Sequence, residues 1–309
     1  MKQKYFFIIN KHNRKALTVW KTLKRLLDKE NIPYRSHFTE HQGHADEIAK
    51  KISYINTDEI KAIVAVGGDG TINEVANGLH ERRHIPFTFV SGGSGNDIIR
   101  GIYKKRMTVS QHFGRLKGKM RDAAIDLGKL KLIGRGGQPR YFVSAIGVGL
   151  DGEVSKRADD SPYKKVFHFL RLGTLSYVLA LFSVLPRYTP RDVDLVIDGA
   201  DYHFSGVWLV AVGNLPFYGG GMKICPEADA SDGILDLCIV HDMSWKKLLL
   251  LFITVFSGSH VRQKGVTLLK GRSITIHSNT PMMIHADGEH AGTTPVEVTV
   301  QPSAARLKL

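Results

Sequence analysis

Short apolar runs alternate with helical spacing through the first third of the chain. Tyr5 to Ile9 is uninterrupted apolar sequence, the pattern of a buried strand. Leu17, Trp20, Leu23, Leu26 and Leu27 then recur at the spacing of a helix. Tyr34 to Phe38 predicts a second strand and Ala45 to Tyr54 a second helix. Ala62 to Val66 and Phe87 to Val90 are two more apolar strands, each ending in glycine-rich sequence. Such alternation predicts an α/β domain, a parallel sheet flanked by helices. Ligands of these sheets sit at the carboxyl ends of the strands.

After about Ile125 the period changes. Arg191 to Asp198 alternates, with Val193, Leu195 and Ile197 on one face and Asp192, Asp194 and Asp198 on the other. Asp198-Gly199 then predicts a hairpin turn into Tyr202 to Val212. Tyr141 to Ile146, Ile234 to Val240, Ser273 to His277 and Val296 to Val300 are further strands. Their number predicts a mainly antiparallel β-sandwich domain. Two helical patterns interrupt it, Tyr163 to Leu185 and Trp245 to Phe256. The first is apolar on more than one face, which makes a core-facing helix the default reading. The alternative is a face that lines an acyl-chain tunnel or touches a bilayer, with Lys164, Lys165 and Arg171 beside it.

Composition narrows the class. The content of 43% hydrophobic and 23% charged residues is that of a globular protein. Cys225 and Cys238 are the only cysteines, which excludes a disulfide framework or zinc knuckle and suits a reducing cytoplasm. The apolar run Leu248 to Phe256 falls well short of the roughly 20 residues needed to span a bilayer. The net charge of +14 favours a polyanionic partner, but the basic residues are dispersed without interleaved aromatics, so no nucleic-acid partner is expected.

The strand Ala62 to Val66 runs into Gly67-Gly68-Asp69-Gly70-Thr71-Ile72-Asn73-Glu74. Thr71 and Glu74 have the spacing of a capping box, which predicts a helix starting just after Thr71. Glycines admit a ligand close to the backbone, and a helix start offers free N–H groups to an anion. A plain strand-to-helix turn reads equally well until Asp69 is considered. A carboxylate beside a phosphate cradle is repulsive unless a divalent cation lies between them. Phe87 to Val90 leads into a second such loop, Ser91-Gly92-Gly93-Ser94-Gly95-Asn96-Asp97.

GGDGTINEV followed by SGGSGND resembles the diacylglycerol kinase catalytic-domain family of soluble bacterial lipid kinases and their sphingosine-kinase relatives. The resemblance continues through Ala123 to Gly128, Ile146 to Asp151, Val212-Gly213-Asn214, Pro226 to Asp236 and His285 to Glu289, and so covers nearly the whole chain. It implies an ATP-dependent kinase that uses Mg2+ to phosphorylate a lipid hydroxyl. The implied domains are a nucleotide-binding one over residues 1–125, with the chain end at about 301–309, and a lipid-substrate one over 126–300, with the catalytic cleft between them. Carried over by position, Asn10, Thr39, Ser94 and the loop Val66, Gly67, Gly68, Asp69, Gly70, Thr71 and Ile72 bind ATP. Asp69, Asp97 and Asp126 form the acidic cluster that organises the catalytic magnesium. Asp232, with the carbonyls of Asp229 and Ile234, holds a second magnesium, and Glu289 is the general base. The resemblance further implies a cytoplasmic protein in transient peripheral contact with a membrane, with a homodimer open to it. Asn10-Lys11-His12-Asn13-Arg14 departs from the family's Asn-Pro-x-Ser/Ala-Gly turn, and only Asn10 matches.

Other readings stay open at this level. GGDG loops also occur in NAD kinase and 6-phosphofructokinase, and a catalytically silent lipid- or nucleotide-binding module would keep the same fold. His285, Asp287 and Glu289 would share one face of an extended strand, inviting a metal reading, but Asp287-Gly288 predicts a turn that breaks it. A solvated hairpin tip is the plain alternative there.

Overall fold

The computed structural model describes residues 3–93, 96–104, 107–134, 136–159 and 181–309. Ser94 of the expected nucleotide loop, and residues 163–180 of the expected helix Tyr163 to Leu185, lie outside the described residues. The chain forms two compact units, Met1–Leu127 with Pro302–Leu309, and Gly128–Gln301.

In the first unit, β1 (Lys4–Asn10), α1 (Arg14–Lys29), β2 (Tyr34–Thr39), α2 (His44–Ser53), β3 (Ile60–Gly67), α3 (Asp69–Leu79) and β4 (Pro86–Ser91) alternate. The strands run parallel in the order β4-β3-β1-β2, and Arg306 and Leu307 add a parallel pairing beside Pro86 and Phe87. Tyr5, Phe7 and Ile9 pack with Trp20 and Leu23 of α1, while Phe6 and Ile8 are buried on the other face. Burial on both faces is why β1 and β3 read as unbroken apolar runs. Asn13 starts α1 by accepting the N–H groups of Lys15 and Ala16. The helices α4 (Asp97–Tyr103) and α5 (Val109–Lys117) follow, the second with a capping box between Thr108 and Gln111.

The capping box expected at Thr71 and Glu74 does not form. Instead α3 begins at Asp69 after Gly68, and Thr71 Oγ1 accepts Asn10 Nδ2 at 3.3 Å. Glu74 accepts the N–H groups of Gly43 and Ala45, both at 3.0 Å. Gly43 has no side chain to cap α2, so a carboxylate from the neighbouring helix satisfies those amides.

The second unit is an antiparallel β-sandwich-like domain. It contains the end of β5 (Asp122–Leu132), β6 (Arg140–Phe142), β7 (Ala145–Gly149), α6 (Leu150–Asp159), β8 (Arg191–Ile197), β9 (Ala200–Gly213), β10 (Leu235–His241) and α7 (Trp245–Val255). β11 (Val266–Gly271), β12 (Ser273–Ser278), β13 (Met283–Ala286), β14 (Glu289–Thr293) and the first part of β15 (Val296–Lys308), as far as Gln301, complete it. Asp198 and Gly199 turn at φ of 50° and 87°, joining β8 to β9 as the sequence predicts. Alternate residues of β10 face two cores: Leu237 and Ile239 join Val210, Ile274, Ile284 and Val298, whereas Cys238 and Val240 face α7.

Two local expectations need correction, and one helix was not foreseen. Tyr141 to Ile146 is not one strand, because the amides of Val143, Ser144 and Ala145 turn to the Asp287 carboxylate. Leu150 to Asp159 forms a helix that the glycine-rich spacing hid. The last strand runs on to Lys308, well beyond Val300.

Candidate active site

Four parallel strands of the first unit end at the same edge, and the expected nucleotide residues that are described ride on or just beyond those ends. Asn10 closes β1 and pairs in register with Thr39 at the end of β2. Gly67 closes β3 opposite Ser91 of β4. The two glycine loops touch backbone to backbone: Gly92 N–H donates to the Gly67 carbonyl at 2.7 Å, and a Cβ on Gly93 would collide with Gly68. Beyond Gly70 there is open space, as a loop that admits a ligand requires. Lys15 Nζ reaches the Gly93 carbonyl at 2.7 Å, adding a cation beside the cradle that sequence reading did not single out. His112 supports the start of the second loop as a neutral acceptor of the Ser91 N–H at 3.4 Å, since burial pushes its pKa down to about 4.

The expected acidic residues divide their bonds in a specific way. The Asp69 carboxylate accepts the N–H groups of Asp97 at 3.0 Å and Ile98 at 3.2 Å, joining the first loop to the start of α4. Asp97 is buried, with Arg100 3.7 Å away. Asp126 is buried and accepts the Ser303 N–H at 2.7 Å. The structure thus brings Asp69 and Asp97 together. Among the described residues, the one group whose ligand atoms all lie within 4.8 Å of one another is His41, His44 and Glu47. There His44 Nδ1 already accepts the Glu40 N–H.

In the second unit, Asp287 (φ 48°) and Gly288 (φ 86°) form the turn between β13 and β14. The turn sends three neighbouring side chains to three different partners. Asp287 accepts the amides of Val143, Ser144 and Ala145 at 2.7, 2.9 and 3.0 Å. Glu289 meets Arg140 Nη2 at 2.9 Å, while Nη1 of the same guanidinium grips the His290 carbonyl. His285 Nε2 meets Asp151 Oδ2 at 2.6 Å, both side chains almost fully buried. Sequence reading passed over Asp151 and Arg140 as site residues, and weighed His285 only as a metal ligand that the Asp287-Gly288 turn argues against. The glycines of the Ile146 to Asp151 segment carried the signal, since a Cβ at Gly147 would collide with both Asp151 and His285.

Asp151 also touches an apolar cavity walled by Leu150, Val154, Leu185, Tyr218 and Leu251, among others. Elsewhere in this unit, the loop Asp229 to Ile234 is exposed or half-buried apart from the buried Ala230, and it folds through two side-chain turns. Asp229 Oδ1 accepts Ser231 N–H, and Asp232 Oδ1 accepts Ile234 N–H. The expected ligand atoms, the Asp232 carboxylate and the Asp229 and Ile234 carbonyls, are all oxygens, the chemistry that hard cations select.

Residues 4–130 match the family described as diacylglycerol kinase catalytic domain, and residues 144–309 match the YegS C-terminal NAD kinase beta sandwich-like domain. The Bacillus subtilis protein YtlR, which carries a provisional lipid-kinase name, is 36% identical over 306 residues, 98% of this chain and 99% of that one. A Mycobacterium tuberculosis diacylglycerol kinase is 31% identical over 249 residues, 80% of this chain and 76% of that one. A solved diacylglycerol kinase of Bacillus anthracis has the same fold, with a TM-score of 0.69 at 18% identity, covering 99% and 96% of the two chains.

Proposed function

We propose that this chain, which belongs to the diacylglycerol kinase catalytic domain family, transfers the γ-phosphate of ATP to a lipid hydroxyl with the help of Mg2+. The observation that carries the reading is the pairing of the two glycine loops at one sheet edge, locked by the Asp69 carboxylate on the Asp97 and Ile98 amides. Such a pair presents backbone N–H groups and carboxylates side by side, which a metal–nucleotide complex needs and a plain turn does not.

In this reading residues 1–125 with 301–309 bind the nucleotide and residues 126–300 bind the lipid. Val66 to Ile72, Asn10, Thr39 and Ser94 hold ATP. Asp69, Asp97 and Asp126 hold the catalytic magnesium. Each carboxylate has two oxygens and about four lone-pair sites, so accepting amides leaves acceptor capacity. Asp232, with the carbonyls of Asp229 and Ile234, holds a second magnesium that stabilises its loop. Magnesium, when bound, offsets charge on the transferring phosphate. Glu289 takes the proton of the lipid hydroxyl as that oxygen attacks, and Arg140 fixes its carboxylate in one orientation. Contact with the membrane is peripheral and transient, at its cytoplasmic face. No described helix is long and apolar enough to cross a membrane.

The test is direct. Purified protein with labelled ATP, magnesium and vesicles carrying a panel of lipid alcohols should yield a labelled phospholipid. Tight ATP binding without label in any lipid would instead identify a silent binding module.

A further inference from the structure

Outside the site, the outward face of α7 stands apart. Trp245, Leu250, Ile253 and Phe256 are 51%, 67%, 70% and 42% exposed. The opposite side of the helix is filled, with Leu248, Leu251 and Val255 buried in the core. This helix is apolar nearly all round, yet among the described residues only one side has protein packed against it. At helical spacing Leu250 and Ile253 point away from the buried trio, and Trp245 and Phe256 flank them along one edge. Single exposed apolar residues are ordinary, but a contiguous strip of four marks an interaction surface.

Charge indicates what covers the strip. Every charged side chain from Met243 to Lys270 is basic: Lys246, Lys247, Arg262, Lys264 and Lys270. Lys270 is held by Asp236 and Glu227. Among the described residues none of the other four makes an ion pair. Lys246 lies on the outward side, its ammonium 5.8 Å from the centre of the Trp245 ring. A second copy of the chain is the poorer occupant. A two-fold dimer would set this face against itself, bringing like charges together with no acidic residue on the segment to offset them.

We infer that α7 is a docking helix that lies in the plane of an anionic phospholipid bilayer. Leu250 and Ile253 enter the boundary between headgroups and acyl chains, the interfacial mode of an apolar helix face. Trp245 sits at headgroup depth, where amphipathic rings are favoured. Lys246 and Lys247 meet lipid phosphates, which attract basic segments near the surface. The identity of the partner as a membrane rests on the lipid-kinase reading. The exposed strip and its charge do not.

The experiment is sedimentation with vesicles of phosphatidylcholine alone, or mixed equally with phosphatidylglycerol, without nucleotide. The wild type should partition onto the mixed vesicles and far less onto phosphatidylcholine alone. Leu250→Asp combined with Ile253→Asp should lower partitioning roughly 100-fold, since two apolar side chains no longer leave water. Lys246→Glu with Lys247→Glu should lower it about tenfold or more at low salt, and little at high salt. Both variants should melt as the wild type does, because the altered residues are exposed. A short-chain lipid alcohol dispersed in water separates docking from chemistry. The Leu250/Ile253 variant should phosphorylate it at the wild-type rate while losing turnover on vesicles. Unchanged partitioning in both variants would overturn the docking helix. So would a self-associated wild type that the Leu250/Ile253 changes convert to monomer without altering vesicle binding. If the wild type phosphorylates no lipid alcohol, the kinase reading fails while the sedimentation result still decides the docking face.

Discussion

Two Asp-Gly turns, one in each unit, use the same residue pair to different ends. In the first unit Asp69 opens α3, and its carboxylate spans to the amides of Asp97 and Ile98. In the second, Asp287 takes a left-handed backbone between two strands and accepts three consecutive amides, Val143 to Ala145. The first carboxylate caps a helix, which could begin with water in its place at modest cost. The second replaces the ladder partners of a broken strand, where three amides would be left without acceptors. The comparison teaches that a motif aspartate is not a single kind of residue. One sits in a glycine loop and serves as a cap, and the other acts as a clamp that sets the position of its neighbour Glu289.

Charge-removing substitutions sharpen the contrast. Asp287→Ala should destabilise the protein by about 3 kcal/mol or more, because several charge-assisted bonds go and the amides of three buried residues lose their acceptor. Asp69→Asn should cost only about 1 kcal/mol, the scale of a lost helix cap, yet abolish phosphoryl transfer. Urea unfolding and turnover measured on the two variants check both halves. Equal stability losses would erase the distinction between cap and clamp.

A third carboxylate marks the weak end of the scale. Asp122 is bound by side chains, Arg306 and Lys308, and nearly half of it is in solvent. Its hydrogen bonds to Arg306 and then Lys308 hold its pKa down at about 2, against an ordinary value of 3.8. A depressed carboxylate contributes stability above its unfolded pKa and loses it as pH falls through the folded one. The stability gap between wild type and Asp122→Asn should therefore be constant from pH 7 to 5 and close as pH falls from about 4 towards 2. Solvent screening keeps that gap to about 1 kcal/mol or less. A gap that widened on acidification would have the wrong sign.

The four parallel strands of the first unit and its first two helices were legible because buried parallel strands read as apolar runs and those helices keep strict spacing, whereas the short helices Asp97–Tyr103 and Val109–Lys117 were not. The hairpin at Asp198-Gly199 was legible from turn chemistry alone. What escaped notice was set by long-range partners. Glu74 has the local spacing of a capping box but caps a different helix, 29 and 31 residues away in sequence. Tyr141 to Ile146 looks like one strand until a carboxylate from residue 287 takes its amides. Asp151 and His285 meet across 134 positions, and only the closeness of Gly147 betrayed that something must pack there. The motif resemblance supplied candidate site residues that periodicity could not, while Arg140 became visible only through its fork onto Glu289 and His290.

The most direct test is Glu289→Gln, assayed for lipid phosphorylation rate and nucleotide affinity on the same preparation. Glutamine keeps an oxygen for the Arg140 guanidinium but cannot take up a proton. A general base at this position predicts turnover lowered by roughly 10²–10⁴-fold with ATP affinity unchanged. Turnover at the wild-type rate would contradict it.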